Sequence, residues 1–183
     1  MEKSYYIQSQ KGCEYMLPIQ IDLPKNFLEE EIRCGYKISS EMKKVWAVEM
    51  DMLYQLDQIC RKYNIHYFAS GGMLGAVRHK GFIPWDDDID IMMFREEYDK
   101  LCEVAPKELK YPYFFQTEYT DKGSLRGHAQ IRNCKTTGIL MSEKDKKYQF
   151  NQGIFVDVFP LDAIINDKKL FHRQFKRAMK YKK

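Results

Sequence analysis

Between Ser70 and Met93 the chain reads SGGMLGAVRHKGFIPWDDDIDIMM, a glycine pair followed, after a short helix and a loop, by alternating aspartates. Strand side chains repeat every two residues, so a strand through this stretch turns Asp86, Asp88 and Asp90 to one face and Asp87 to the other. Few folds tolerate three carboxylates in a row. Unit charges about 6 Å apart repel by roughly 3 kcal/mol at an effective dielectric near 20. A cation is therefore expected among them, and hard oxygen ligands suit Mg²⁺ or Mn²⁺. The Gly71-Gly72 turn just upstream opens the short helix, offering backbone N–H groups and a positive helix end to phosphate. A phosphate cradle beside metal-binding carboxylates points to phosphoryl or nucleotidyl transfer.

The flanking sequence supplies a frame for these residues. Apolar positions from Met42 to Tyr63 fall at helical spacing, which predicts a helix over 40–63 with Ser39 or Ser40 as its N-cap and Asn64 as its end. Ile65–Ala69 then reads as a strand, Gly71–His79 as a short helix, Gly81 and Pro84 as loop markers, and Asp88–Met93 as a second strand. A surface helix over Arg95–Val104 is ended by Pro106. Tyr111–Thr117, Leu125–Arg132 and Gly153–Phe159 read as further strands, and a last helix begins at Asp167. This alternation predicts an α/β fold with a mixed β-sheet flanked by helices. Asp157 stands out in the apolar run Ile154–Phe159, because an acid buried there needs a partner or a metal.

The signature resembles that of the LicD family, the cholinephosphotransferases that also include fukutin-type enzymes. Their fold is that of the nucleotidyltransferase superfamily. The segments ICRKYNIHYFASGG, YFFQTEYTDKG and QIRNCKTTG are similar to the family as well, so the likeness runs from about Ile38 to Asp162. The resemblance implies metal-bearing catalytic carboxylates at Asp88, Asp90 and Asp157, with Asp86 as a further metal ligand. It implies donor-phosphate contacts at Gly71 and Gly72; Ser70 is read as a further phosphate contact or as the helix cap, and Arg78 as a phosphate contact or as a cation favoured by the helix C-terminus. Gln130 and Arg132 lie near Thr136 and Thr137 in a region that sits by the donor in the family, and Arg132 is read as a pyrophosphate ligand or as a surface ion-pair partner. His79 is a weaker phosphate candidate, Trp85 stacks on a base or sugar or anchors packing, and Asp162 reads as a loop acid. The implied reaction transfers phosphocholine, or a similar phospho-alcohol, from a CDP-linked donor to a hydroxyl of a glycan or glycolipid. The same carboxylates serve a nucleotidyltransferase that uses an NTP, and a shortened non-catalytic relative is the third reading.

Charge is unevenly spread. The net charge of +4 arises because residues 168–183 carry eight Lys or Arg and no acid, leaving residues 1–167 at −4. That excludes a basic nucleic-acid-binding domain. The tail also carries Leu170, Phe171, Phe175, Ala178 and Met179, and is expected to pack on the sheet; the alternatives are an anionic lipid surface, or the remainder of a longer domain whose apolar face has lost its partner. Five scattered cysteines without a metal-ligand spacing argue for a reducing cytoplasm and against a zinc site or disulfide framework. The expected organisation is a lead-in over 1–36, a catalytic domain over 37–167 and a basic helix over 168–183.

Overall fold

The computed structural model describes residues 3–6 and 17–181; the rest of the N-terminal lead-in lies outside the described residues. In chain order the elements are β1 (Lys3–Tyr6), β2 (Glu31–Arg33), β3 (Tyr36–Ile38), α1 (Ser40–Tyr63), β4 (Phe68–Ser70), a 3-10 turn (Gly71–Gly75), α2 (Ala76–His79), β5 (Asp90–Phe94), α3 (Arg95–Glu108), β6 (Tyr113–Gln116), β7 (Ala129–Asn133), β8 (Thr137–Leu140), β9 (Ile154–Leu161) and α4 (Lys168–Tyr181). A second 3-10 turn, Met141–Glu143, follows β8.

Local chemistry sets the ends of α1. The Ser39 hydroxyl accepts from the Met42 N–H at 3.2 Å, and Asn64 closes the helix in the left-handed conformation at φ 51°, which asparagine tolerates better than most residues. Val45, Val48, Met52, Leu56 and Ile59 recur on one side and are buried. α3 runs two residues beyond Pro106. The proline sits in the last turn, where the lost N–H bond ends the helix gradually instead of at once.

Five strands form a mixed sheet in the order β4-β5-β9-β7-β6. β5 and β9 run parallel, while the other neighbours are antiparallel. Residues of alternate parity, among them Ile91, Met93, Val156, Val158, Ala129 and Ile131, join the buried core with α1 and α3. The fold is therefore the expected α/β type, with a mixed sheet and helices packed on it. Two small two-stranded pairings lie outside this sheet. β1 pairs with β8, and β2 with β3.

The opposite parity carries the polar residues. Register pairs Ser70 with Asp90, Asp90 with Asp157, Asp157 with Gln130, and Gln130 with Gln116. Directly opposed residues share a sheet face, so these five form one polar row across all five strands. Two carboxylates stand in adjacent places in that row.

The expected packing of the C-terminal helix is not observed. Residues of α4 are exposed throughout 168–180, including Leu170, Phe171, Phe175 and Met179. Phe171 and Phe175 stack on each other, with centroids 6.4 Å apart. Helical period predicted the element, but period alone says nothing of which surface receives its apolar side.

Candidate active site

The strand carrying the aspartates begins at Asp90, two residues later than the sequence reading placed it. A turn at Pro84-Trp85, with the Asp86 N–H bonded to the Ile83 carbonyl at 3.0 Å, sets the preceding segment outside the ladder. Strand alternation therefore does not apply to Asp86–Asp88, and Asp87 does not point away. One carboxylate oxygen from each of Asp86, Asp87 and Asp88 lies within 4.8 Å of the other two. Asp87 is a member of the cluster that parity had excluded.

Two glycines make room for these acids. A Cβ on Gly72 would lie 1.7 Å from Asp86 Oδ2, and one on Gly71 would lie 2.3 Å from Asp90 Oδ2. Gly71 also holds φ at +51°, a conformation that side-chain-bearing residues rarely adopt. The Gly-Gly turn thus abuts the carboxylates directly. From behind, the Trp46 indole N–H donates to the Asp86 carbonyl at 2.8 Å. Trp46 stacks on Phe82 at 4.6 Å, and Arg33 donates to the carbonyls of His79 and Phe82 at 3.3 and 2.8 Å. The loop between α2 and β5 is held by the domain's own packing.

Across a recess of about 230 Å³ from the acidic segment lie Arg126, His128, Gln130 and Asp157. Asp157 Oδ1 receives the Gln130 amide at 2.5 Å and contacts His128 Nε2 at 3.0 Å. The His128 ring lies 4.4 Å from that of Phe159. Arg126 donates to Glu143 Oε2 at 2.7 Å, which fixes a cation at the rim of an acidic recess. Burial, and then the charge of Asp88, push the Asp86 carboxyl above the usual carboxylate range.

The two arginines of this region differ in their surroundings. Arg132 is 1% exposed and donates to Gln116 Oε1, the Gly153 carbonyl and Gln130 Oε1 at 2.5, 2.6 and 2.5 Å. Its guanidinium lies 4.6 Å from the Phe155 ring centroid, and burial pulls its pKa down to about 9. It contacts no solvent-open donor surface and is not a surface ion-pair partner either; it orients Gln130, which in turn holds Asp157. Arg126, which the sequence reading passed over, lines the recess. The expected strand over Leu125–Arg132 hid the difference, because β7 starts only at Ala129 and Arg126 belongs to the loop before it.

Ser70 ends β4 beside Asp90. Arg78 is exposed on α2 and lines neither the acidic recess nor the apolar one next to it. His79 faces the β2–β3 hairpin, with Nδ1 3.8 Å from Cys34 Sγ. Trp85 is 56% exposed, with edge contacts to Tyr36 and His79. Thr136 is buried, and its hydroxyl donates to the Asn133 carbonyl and accepts from the Ile154 N–H. Asp162 takes a two-pronged contact from Arg95 at 2.7 and 2.9 Å, and that contact holds its carboxyl below the usual range.

Closely spaced carboxylates abutting glycine backbone make up an all-oxygen acidic cluster, the donor chemistry that hard divalent ions take. The model of the LicD/FKTN/FKRP nucleotidyltransferase domain matches residues 64–183, and the chain belongs to this family. It is 33% identical over 143 residues to the lipopolysaccharide cholinephosphotransferase LicD of Haemophilus influenzae, covering 77% of this chain and 52% of that protein. Uncharacterized proteins of Rickettsia prowazekii and Rickettsia typhi are 36% and 35% identical over 99 and 117 residues, covering 51% and 60% of this chain and 35% and 34% of theirs. The chain thus spans about half the length of the Haemophilus relative and about a third of the other two.

Proposed function

We propose that the recess binds a CDP-linked donor and transfers its phosphocholine, or a similar phospho-alcohol, to a hydroxyl of a glycan or glycolipid. The observation that carries this reading is the register pairing of Asp90 with Asp157, which joins the acidic segment to the strand whose Asp157 lines one recess with Asp86, Asp87, Asp88 and Arg126. The relative named for cholinephosphotransfer to lipopolysaccharide supports the donor and acceptor classes.

Asp88, Asp90 and Asp157, with Asp86, are the residues to hold Mg²⁺ or Mn²⁺, and Asp87 joins them by position. The ion's contribution is to offset the negative charge of the donor phosphates during an in-line displacement. The chain's own groups do the rest. The glycine backbone admits the diphosphate closely, Arg126 adds a fixed positive charge at the rim, and Gln130 with His128 holds Asp157 in place. The acceptor hydroxyl oxygen attacks the phosphorus that bears the alcohol, its proton passes to a carboxylate of the site, and the phosphoanhydride bond breaks to release cytidine monophosphate.

Thermal shift with CDP-choline, CDP-glycerol, CDP-ribitol and NTPs, with and without Mg²⁺, followed by product analysis, tests the reading. Cytidine monophosphate release supports it. Pyrophosphate release from an NTP replaces it with nucleotidyl transfer. Donor binding without turnover under any condition replaces it with a non-catalytic role.

For α4 the alternative to packing now fits better. Its exposed Leu170, Phe171, Phe175 and Met179 share a helix with Lys168, Lys169, Arg173, Lys176, Arg177 and Lys180 and no acid. We propose that this helix lies on an anionic lipid surface, where a glycolipid acceptor resides. Among the described residues no helix is long and apolar enough to cross a membrane.

A further inference from the structure

We infer that Asp157 is presented to the acidic site by a chain of hydrogen bonds that starts outside the recess, at Asp121, and that Asp121, Gln116, Arg132 and Gln130 are its positioning residues. The inference rests on the site proposed above, in which Asp157 is a cation ligand; what is new is the control of that carboxylate from a distance.

Gln116 stands on β6, Gln130 and Arg132 on β7, and Asp157 on β9. Register places Gln116, Gln130 and Asp157 side by side on one face of the sheet, and Arg132 shares that face two residues along from Gln130. The two glutamines and the arginine are at most 2% exposed. Arg132 Nε donates to Gln116 Oε1 and its Nη2 to Gln130 Oε1, both at 2.5 Å. The Gln116 amide then donates to Asp121 Oδ2 at 2.7 Å, and the Gln130 amide to Asp157 Oδ1 at 2.5 Å. Asp121 does not line the recess that holds Asp157. Its Oδ2 also accepts from the Asn151 N–H at 2.8 Å, which ties this end of the chain to a neighbouring loop.

Donor chemistry fixes the direction of every link. A guanidinium only donates and an ionised carboxylate only accepts, whereas an amide does both and can turn over. Each glutamine must offer its carbonyl to Arg132, so each presents its NH₂ to the carboxylate beyond. A Gln130 amide turned over would set NH₂ against the guanidinium and carbonyl against Asp157, two repulsions in a dry interior. The three oxygens that take the bonds of Arg132 are neutral. The carboxylates of Asp121 and Asp157 lie one amide further out, at either end. Burial and the charge of Arg126 pull the Arg132 pKa down, and Asp157 and Asp121 push it back. Apolar side chains of like volume would fill this space at less cost than a buried cation. What the charge adds is one fixed orientation of the Gln130 amide, and through it a fixed Asp157.

The test titrates Mn²⁺ into the intact chain, read by electron paramagnetic resonance, for wild type, Gln130→Met, Asp121→Ala and Asp157→Asn. Melting curves check that each variant is folded. Gln130→Met keeps the length of the side chain, loses both bonds and should weaken Mn²⁺ binding about tenfold. Asp121→Ala releases the far end and should weaken it about threefold. Combined with Asp157→Asn, either change should bind Mn²⁺ as Asp157→Asn alone does, because the chain acts only through that carboxylate. A general loosening of the fold would add to the loss instead. Unchanged Mn²⁺ affinity in Gln130→Met, or additive losses, overturns the chain and leaves the metal site standing. Should Gln130→Met not fold, unchanged affinity in Asp121→Ala overturns it. If wild type binds no Mn²⁺, or Asp157→Asn binds it equally well, the site proposed above falls, and the role of the chain with it.

Discussion

The acidic segment Asp86–Asp90 and the basic helix α4 are both charged stretches, and the fold treats them in opposite ways. Each aspartate of interest is fixed from several sides. The Trp46 indole holds the Asp86 backbone, Gly71 and Gly72 abut Asp90 and Asp86, and strand register puts Asp90 beside Asp157. α4 instead is exposed along 168–180, with apolar and basic side chains alike in solvent. Like charges crowded together by a rigid frame oppose folding, and their confinement signals a ligand that offsets them. Charges spread along an exposed helix cost little, and point to a surface met after folding.

The largest effects should come from the confined side. Asp88→Asn, Asp90→Asn or Asp157→Asn is expected to lower turnover at least about a hundredfold, read as cytidine monophosphate release. The double variant Asp90→Asn/Asp157→Asn should lose little more than either alone, because the carboxylates act as one unit. Metal-free melting temperature should hold level or rise in Asp88→Asn, since a repelling charge has gone. A clear fall in metal-free stability with activity retained would break the comparison.

The two arginines sharpen it next. Arg132→Ala leaves buried acceptors on Gln116, Gln130 and Gly153 without their donor, and should cost about 3 kcal/mol of stability in a denaturant titration. Arg126→Ala should leave stability within about 1 kcal/mol and raise the donor KM roughly tenfold. A reversed pattern would return the phosphate contact to Arg132.

A smaller effect concerns pH. Burial and Asp88 raise the Asp86 pKa from its ordinary 3.8. Below that ordinary value both folded and unfolded chains carry the proton, and Asp86 makes no difference. As pH rises from it toward the raised folded value the unfolded chain ionises first, so stability falls, and it levels off above the folded pKa. The melting temperature of metal-free wild type minus that of Asp86→Asn should therefore decline across this interval. Mg²⁺, which favours the ionised form, should reverse the decline. No difference between the two proteins across the acid range would contradict the burial of Asp86.

Much of this was legible in the sequence because the controlling signals are local. α1 was readable to its ends, since Ser39 and Asn64 carry their capping chemistry with them. Asp157 was readable because an acid between Val156 and Val158 demands a partner somewhere. What escaped depends on contacts distant in sequence. Asp87 was placed by strand parity, whereas the Pro84-Trp85 turn delays the strand to Asp90. Arg126 and Arg132 look alike in a run read as one strand, and only the Gln116, Gln130 and Gly153 partners of Arg132 tell them apart. The packing expected of α4 was inferred from its apolar stripe, which specifies a face but no partner.

The smallest effect should be on the exposed side. Deleting residues 168–183 is expected to shift the melting temperature of the rest by no more than about 2 °C, given the exposure of α4. It should abolish binding to phosphatidylglycerol-rich vesicles at physiological salt. A large loss of stability, or vesicle binding unchanged, would show that this helix is held as firmly as the aspartates.

The central claim is that carboxylates from two distant parts of the chain, Asp86–Asp90 and Asp157, form one divalent-ion site for a CDP-linked donor. Electron paramagnetic resonance of Mn²⁺ titrated into the protein with CDP-choline present tests it most directly. Wild type should bind Mn²⁺ and bind it more tightly with the donor, and Asp88→Asn and Asp157→Asn should each weaken that binding by about tenfold or more. Mn²⁺ affinity unchanged by Asp157→Asn, with the protein folded, would contradict the shared site.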